Sequence, residues 1–331
     1  MKKSILCLGN PVFDTFASVS DDILLSNNIE KGSAPILDPK KVIEITSKIN
    51  FISANCGGSA ANIAKGIAIL GGRAGLFGQY ADDKEGNIIR DSLKKHGVVN
   101  HCSVEKGAMT TQINVLVTPD AQRTMIAIFG ASHTMDPKAV DYSIVDSYDY
   151  FLLEGYQFCN QRLIDISYAF LKRIKEKNIS LILSISNIFC VESYYQHMKC
   201  FADSARIIVG NEEEFLKLFN FDDIDKLLDY LQPQCSSSEK YEMIMVTVGP
   251  KGAYILWEGK KIFVEAPDVK TPVDTTGAGD YFVAGLLYGY FQGYDMSINN
   301  KIAQIMAKDI ISKFGSNLSL EIVDEVKKLL S

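Results

Sequence analysis

Several features are missing from this 331-residue chain, and each absence narrows what it does. Its seven cysteines (Cys7, Cys56, Cys102, Cys159, Cys190, Cys200 and Cys235) are odd in number, scattered, and never spaced Cys-x-x-Cys. That argues against a disulfide framework or a thiolate zinc site and fits reduced, mostly buried thiols in a cytoplasmic protein. No block of basic residues occurs, and the net charge of −6 is spread over interspersed acids and bases. Nucleic acid and anionic membranes are therefore not expected partners. No apolar window reaches transmembrane length. Met1-Lys2-Lys3 followed by Ser4-Ile5-Leu6-Cys7-Leu8 opens like a signal sequence, but Gly9-Asn10-Pro11 ends the run too soon, so a first strand is expected there. Common nucleotide frameworks are missing as well. There is no Gly-x-x-x-x-Gly-Lys-Ser/Thr, and Phe282 stands where a dinucleotide fingerprint beginning at Gly277 needs its third glycine. The His-Arg-Asp and Asp-Phe-Gly triplets of protein kinases are absent too.

What is present centres on Val273-Asp274-Thr275-Thr276-Gly277-Ala278-Gly279-Asp280, which runs directly into the apolar stretch 281–287. This pattern predicts a glycine turn opening a buried helix. The first N–H groups of such a helix lack intrahelical partners, and the peptide dipoles add partial positive charge. With glycines allowing close approach, the natural guest is a phosphate. Asp280 is anomalous there, because a carboxylate repels a bound phosphate. It either complements the dipole of an ordinary helix capped by Thr276, or it takes a proton from an attacking hydroxyl.

The chain is long enough for one large α/β domain or two domains. Residues 5–8 predict a buried strand and 14–19 a half-exposed one. Helices are expected over 23–28 and 39–49, with a short exposed strand over 31–37 between them. A second glycine turn, Gly57-Gly58, opens a small-residue helix containing Asn62 and ending at Gly71-Gly72. Residues 75–80 read as one buried strand, followed by a helix starting at Asp82-Asp83. Residues 112–118 and 123–129 form a hairpin around Pro119-Asp120. Within it, Arg123 suits either a phosphate or an edge strand. After residue 136, strands (150–153, 181–184, 207–209, 244–248) alternate with helices (161–177, 212–219, 222–231), which implies a three-layer, mainly parallel sheet. A hairpin around Gly259 and two terminal helices, 302–313 and 320–330, complete the reading.

Ligand contacts in open α/β sheets cluster beyond the C-terminal strand ends. Asp14 lies just past the first strand, where it could accept from sugar hydroxyls, but position alone favours a turn residue. Glu154 follows a strand end, where it could bind substrate, place the Asp280 region, or make a surface contact. Asn211-Glu212-Glu213-Glu214 is an acidic helix start, most simply a dipole complement. Thr247-Val248-Gly249-Pro250-Lys251-Gly252 closes another strand with a glycine turn.

The octad and the 57–72 stretch together resemble the two signatures of the ribokinase-like carbohydrate and nucleoside kinases, the phosphofructokinase-B family, and the resemblance spans nearly the whole chain. It implies a ribokinase-like α/β/α core (1–12, 56–104 and 130–331) with a small β-sheet lid (13–55 and 105–129). It implies that Gly277, Ala278 and Gly279 form an anion hole and that Asp280 is the catalytic base. Asp14, Gly57, Gly58, Asn62 and Glu154 would meet the sugar. Asn211, Thr247, Gly249, Gly252 and Thr275 would serve ATP, with Glu214 acting on Mg²⁺ through water. Ser59 replaces the lysine of ribokinase itself, which argues against ribose, and Tyr281 replaces a commonly small residue. Segment 180–219 resembles the adenosine kinase branch. The implied activity is ATP-dependent phosphorylation of a nucleoside or sugar hydroxyl, with an adenosine-like nucleoside favoured over a hexose or sugar acid. A silent sugar- or nucleotide-binding sensor is the rival class. Both a monomer and a homodimer formed through the lid suit this pattern.

Overall fold

The computed structural model describes residues 2–35, 37–120, 122–269 and 273–331. Nine strands form the main sheet. From edge to edge they are Lys260–Glu265, Gly252–Trp257, Met243–Thr247, Ile207–Asn211, Ser180–Ser184, Tyr150–Glu154, Ser4–Leu8, Arg73–Phe77 and Val99–Asn100. All neighbouring pairs are parallel except two at the first edge, where Gly252–Trp257 runs antiparallel both to Lys260–Glu265 and to Met243–Thr247. Parallel strands covered on both faces need continuous apolar runs rather than alternation. The strand at Ser4–Leu8 shows why: Ile5 and Cys7 enter one core while Leu6 and Leu8 enter the other. Tyr150 and Leu152 divide from Phe151 and Leu153 in the same way.

One face is covered by helices Ser59–Ile69, Lys84–Lys95, Ala278–Gln292 and Met296–Ile311. The other face carries Gln161–Lys177, Tyr195–Ser204, Glu212–Phe219 and Ile224–Leu231. The Gln161–Lys177 helix starts where Asn160 accepts the Arg162 N–H at 2.9 Å and ends at left-handed Asn178. Among the described residues, no helix is long and apolar enough to cross a membrane.

A second sheet has the order Ser53–Gly57, Val12–Ser18, Gln112–Val117, Arg123–Ile128. Its outer pairs are antiparallel and its central pair parallel. Helices Asp21–Ser26 and Pro39–Thr46 cover one face, packing Leu24, Val42 and Ile45 against Ala17, Leu116, Ile126 and Ile128.

Several expectations need correction. The Val12–Ser18 strand is buried from Val12 to Ala17, not half-exposed, because it is covered on both faces. Residues 31–35 and 37 form no strand: they turn at Gly32 (φ +81°) and touch the small sheet through two bonds, from the Gly32 N–H to Thr124 Oγ1 and from the Met125 N–H to the Ser33 carbonyl, while Ile36 lies outside the described residues. The 75–80 strand breaks at Gly78, where a β-carbon would stand 2.3 Å from the Gly9 carbonyl oxygen, and Gln79–Ala81 pairs separately with Ser103–Glu105. Thr276 does not cap the Ala278–Gln292 helix; Gly277 does. Helices Ile188–Ser193 and Tyr195–Ser204 are too short to show a clear apolar period.

Close helix packing positions the site, and Gly66 tests it. A β-carbon there would lie 2.5 Å from the Ala284 β-carbon and 3.0 Å from Met306 Cε. Glycine to alanine in a helix interior ordinarily gains about 1 kcal/mol, but overpacking a tight core costs about 1–3 kcal/mol. Urea unfolding of Gly66→Ala should show a net loss of up to about 2 kcal/mol. A gain would mean that the two helices do not approach this closely.

Candidate active site

The parallel strands end together at Leu8, Glu154, Asn211 and Thr247, and the residues after these ends line one cleft rim. Two glycine-initiated helices point their N-termini into it. Gly58 (φ +100°) precedes Ser59–Ile69, and a β-carbon there would meet the Asn10 carbonyl oxygen at 2.3 Å. Gly277 (φ +79°) precedes Ala278–Gln292, whose first turn has no side-chain cap. The Ala278 N–H donates to the Thr275 carbonyl at 3.2 Å, and nothing lies within 4 Å of a β-carbon built on Gly279. That first turn is open to a ligand.

Asp280 joins the two turns. Ser59 Oγ donates to its Oδ1 at 2.7 Å, and Asn62 Nδ2 donates to its Oδ2 at 2.9 Å. Burial pushes the Asp280 carboxyl pKa up, against the bonds from Asn62 and Ser59 and the positive charge of Lys65. Asn62 Oδ1 is buried without a partner. Tyr281, the departure from the usual small residue, is fully buried and donates to the Ser316 carbonyl at 2.7 Å.

Asp14 lies on the small sheet against the Gly57 turn; a β-carbon on Gly57 would stand 1.8 Å from Asp14 Oδ2. Its pKa is raised to about 7 by burial, with Lys65 pulling it down and Asp280 and Asp274 pushing it up. Glu154 is 1% exposed and faces the loops rather than open solvent. Its Oε1 accepts the Asn10 N–H at 2.7 Å, and its Oε2 accepts the Ala60 N–H at 2.9 Å. Of the readings open for Glu154, surface contact is ruled out, and its oxygens are engaged by the backbone of two segments packed against each other, the loop after the first strand and the start of the Ser59–Ile69 helix.

Asn211 and Glu214 face each other as a reciprocal helix cap. Asn211 Oδ1 accepts the Glu214 N–H at 2.9 Å, while Glu214 Oε2 and Oε1 accept from the Asn211 N–H at 3.0 Å and Nδ2 at 2.8 Å. Burial lifts the Glu214 pKa to about 7, opposed by the Asn211 N–H and aided by Asp280 and Glu213. Thr247 sits beside Asn211 in register, its hydroxyl 3.4 Å from the Gly210 carbonyl, and Gly249 and Gly252 follow in left-handed conformations. This loop makes no described side-chain bond to the octad. Among the described residues, no three His, Cys, Asp or Glu side chains form a metal cage.

Arg123 does more than decorate an edge strand. It donates to the hydroxyls of Thr275 and, at 3.1 Å, Thr276, and its guanidinium lies 3.4 Å from Asp274. Asp274 in turn accepts from the Thr276 N–H at 2.9 Å and the Gly315 N–H at 3.0 Å. The small sheet is thereby tied to the octad. Asp274 was visible only as a member of the octad, and Ser59 only as a departure from ribokinase, neither with a part in holding the site together. Lys65 carried a usable signal, since it is the one charge in the small-residue stretch 59–72.

The family model for pfkB family carbohydrate kinases matches residues 38–323. The adenosine kinase of Saccharomyces cerevisiae is 23% identical, covering 97% of this chain and 98% of that protein. A 5-dehydro-2-deoxygluconokinase of Shouchella clausii is 23% identical, covering 83% of this chain and 86% of its own length. The crystal structure of adenosine kinase from Sinorhizobium meliloti superposes with a TM-score of 0.89 at 27% identity, covering 99% of both chains.

Two forces compete at Glu154. Burial raises its pKa from 4.5 to about 7, while the Asn10 and Ala60 N–H groups hold the charge. A carboxyl whose folded pKa is raised stabilises the fold below its ordinary range and loses that contribution as pH rises through about 7. Unfolding free energies of wild type and Glu154→Gln should therefore shift in favour of the variant, by on the order of 2 kcal/mol between about pH 5 and about pH 8. A difference that does not move with pH would show that the two N–H donors cancel the effect of burial.

Proposed function

The chain belongs to the pfkB family of carbohydrate kinases, and from that premise we propose that it transfers the γ-phosphate of Mg-ATP to a primary hydroxyl of an adenosine-like nucleoside, with Asp280 as base. Membership makes it a phosphotransferase acting on an alcohol group. The observation that carries the rest is the Asp280 carboxylate, held by Ser59 and Asn62 in the first turn of a helix that lacks a side-chain cap.

ATP supplies the phosphoryl group, and kinases of this family generally use it with Mg²⁺. The residues fit both. Left-handed Gly277 and the open space at Gly279 leave room for an anion against the helix N-terminus. With each Glu214 oxygen already accepting a bond from Asn211, Glu214 would hold Mg²⁺ through bound water, in keeping with an ion that retains much of its hydration. Asp280 takes the acceptor's proton as that oxygen bonds to phosphorus and the bond to the departing ADP breaks. The Gly277–Gly279 turn steadies the charge developing on the transferred group. Asp14, Gly57, Gly58 and Asn62 hold the sugar, and Glu154 positions the loops around it. Thr247, Gly249, Gly252 and Thr275 border the nucleotide.

Segments 13–55 and 105–129 act as the lid of this site. Arg123 latches it through Thr275, Thr276 and Asp274, which aligns the acceptor and keeps water from the phosphate. What supports a nucleoside is the relatives named adenosine kinase, which cover nearly the full chain. The gluconokinase relative favours a sugar-acid acceptor instead.

An ADP-release screen with Mg-ATP across adenosine, inosine, guanosine, ribose, fructose and sugar acids separates these readings. Adenosine should give the highest kcat/KM. Turnover of sugars alone contradicts the nucleoside preference, and no turnover at all favours a binding sensor. With the best acceptor, Asp280→Asn should lower kcat by about 10²–10⁴-fold. Activity within a few-fold of wild type would remove Asp280 from the role of base.

A further inference from the structure

Lys65 is the only lysine or arginine among the buried described residues, with no exposed surface at all. It sits in the middle of Ser59–Ile69, between Ala64 and Gly66. A buried ammonium is costly unless it is bonded and paired. Helical side chains lean back toward the helix N-terminus. The Lys65 stem follows that direction, and its Nζ donates to the Cys56 carbonyl at 2.6 Å, one residue before the Gly57-Gly58 turn. Cys56 lies on the strand paired with the one that bears Asp14, in register with Phe13. Asp280 reaches the same helix through Ser59 and Asn62. The proposed base and the proposed sugar-binding carboxylate therefore converge on one helix whose only charge is Lys65.

We propose that Lys65 is a positioning residue of this site: its buried ammonium fixes the Cys56 carbonyl, and with it the Gly57-Gly58 turn, and supplies the positive charge that favours the ionised forms of Asp14 and Asp280 against burial and against each other. The inference rests on the kinase reading for its functional meaning and on geometry for its existence. Two carboxylates confined to one buried region repel, and the usual outcome is that one holds a proton. Asp14 and Asp280 each feel Lys65 as a charge that lowers their pKa. Lys65 is itself pushed down by burial and back up by Cys56, Asp14 and Asp280. Other titratable groups share this region: Asp274 acts on Asp14, and Glu154, Glu214 and Tyr281 feel Asp280, while His96, at the end of the Lys84–Lys95 helix, is kept toward the neutral form by burial first and by Lys65 after it. A base must be ionised to accept a proton, so a cation at this place sets the pH at which the site works. It also explains why a long polar side chain occupies a helix position otherwise surrounded by alanine and glycine.

The test begins with wild-type protein labelled at lysine Nζ and aspartate carboxyl carbons. By NMR, Lys65 should be protonated near pH 7; a neutral amine there overturns the proposal without any variant. Asp14 and Asp280 signals are assigned with Asp14→Asn and Asp280→Asn and then titrated in wild type, Lys65→Gln and Lys65→Met. Glutamine keeps an N–H donor toward Cys56 but removes the charge, so it separates fixing the turn from supplying the charge. In both variants the carboxyl midpoints should rise by about one unit or more. The acid limb of kcat/KM should move up with them, and activity lost near pH 7 should return in part near pH 9. Unchanged midpoints with only a lower Tm make Lys65 a packing residue and contradict the proposal. If wild type phosphorylates no acceptor, the kinase reading falls while the midpoints still decide the role of Lys65.

Discussion

Two hydrogen bonds, from Ser59 Oγ and Asn62 Nδ2 to the Asp280 carboxylate, connect helix starts more than two hundred residues apart in sequence. Each helix opens on a left-handed glycine, and each would lose its place if the chain before it shifted. Gly58 lies against the Asn10 carbonyl, and Gly277 lies against Ser316 and Asn62. The close crossing of Ser59–Ile69 over Ala278–Gln292, with Gly66 against Ala284, sets the distance that those two bonds span. The fold is thus built to bring one acid to one place, and the main sheet, with helices on both faces, is the frame that holds it there.

That arrangement has an electrostatic consequence. Asp14, Glu154 and Glu214 are all buried and all held near a pKa of about 7 by burial, with Asp280 as a common charged neighbour. Backbone N–H groups at Asn10, Ala60 and Asn211 offset part of the cost, and Lys65 and Arg123 supply positive charge from opposite sides. A site that gathers acids in this way gives up stability for chemistry, as functional sites do. Arg123 adds a further feature, because it comes from the small sheet. In the proposed reading its ties to Thr275 and Thr276 couple closure over the acceptor to the geometry of the anion turn.

Much of this was legible in the sequence for definite reasons. The octad and the Gly57-Gly58 helix were visible because left-handed turns demand glycine and a helix start leaves donors free. Alternation of strands and helices after residue 136 gave the parallel sheet, and Gln161–Lys177 showed its full period between two asparagine ends. What stayed hidden depended on partners distant in sequence. The Val12–Ser18 strand alternates in its letters, yet cover on both faces buries it. Glu154 read equally as a surface contact until Asn10 and Ala60 met its oxygens. Gly78 broke a strand only because Gly9 passes so near. Lys65 stood out only as the one charge in its stretch, and nothing local showed that it would be fully buried with its Nζ on the Cys56 carbonyl.

The central claim is that Ser59 and Asn62 act on the chemical step, as distinct from sugar binding, through Asp280. A double-mutant cycle on kcat at saturating acceptor tests it most directly, comparing Asn62→Ala, Asp280→Asn and the pair. If Asn62 works by holding the carboxylate, the pair should be no slower than Asp280→Asn alone, within a few-fold. Losses that multiply would show that Asn62 and Asp280 contribute independently, and the joined-turn account of this site would be wrong.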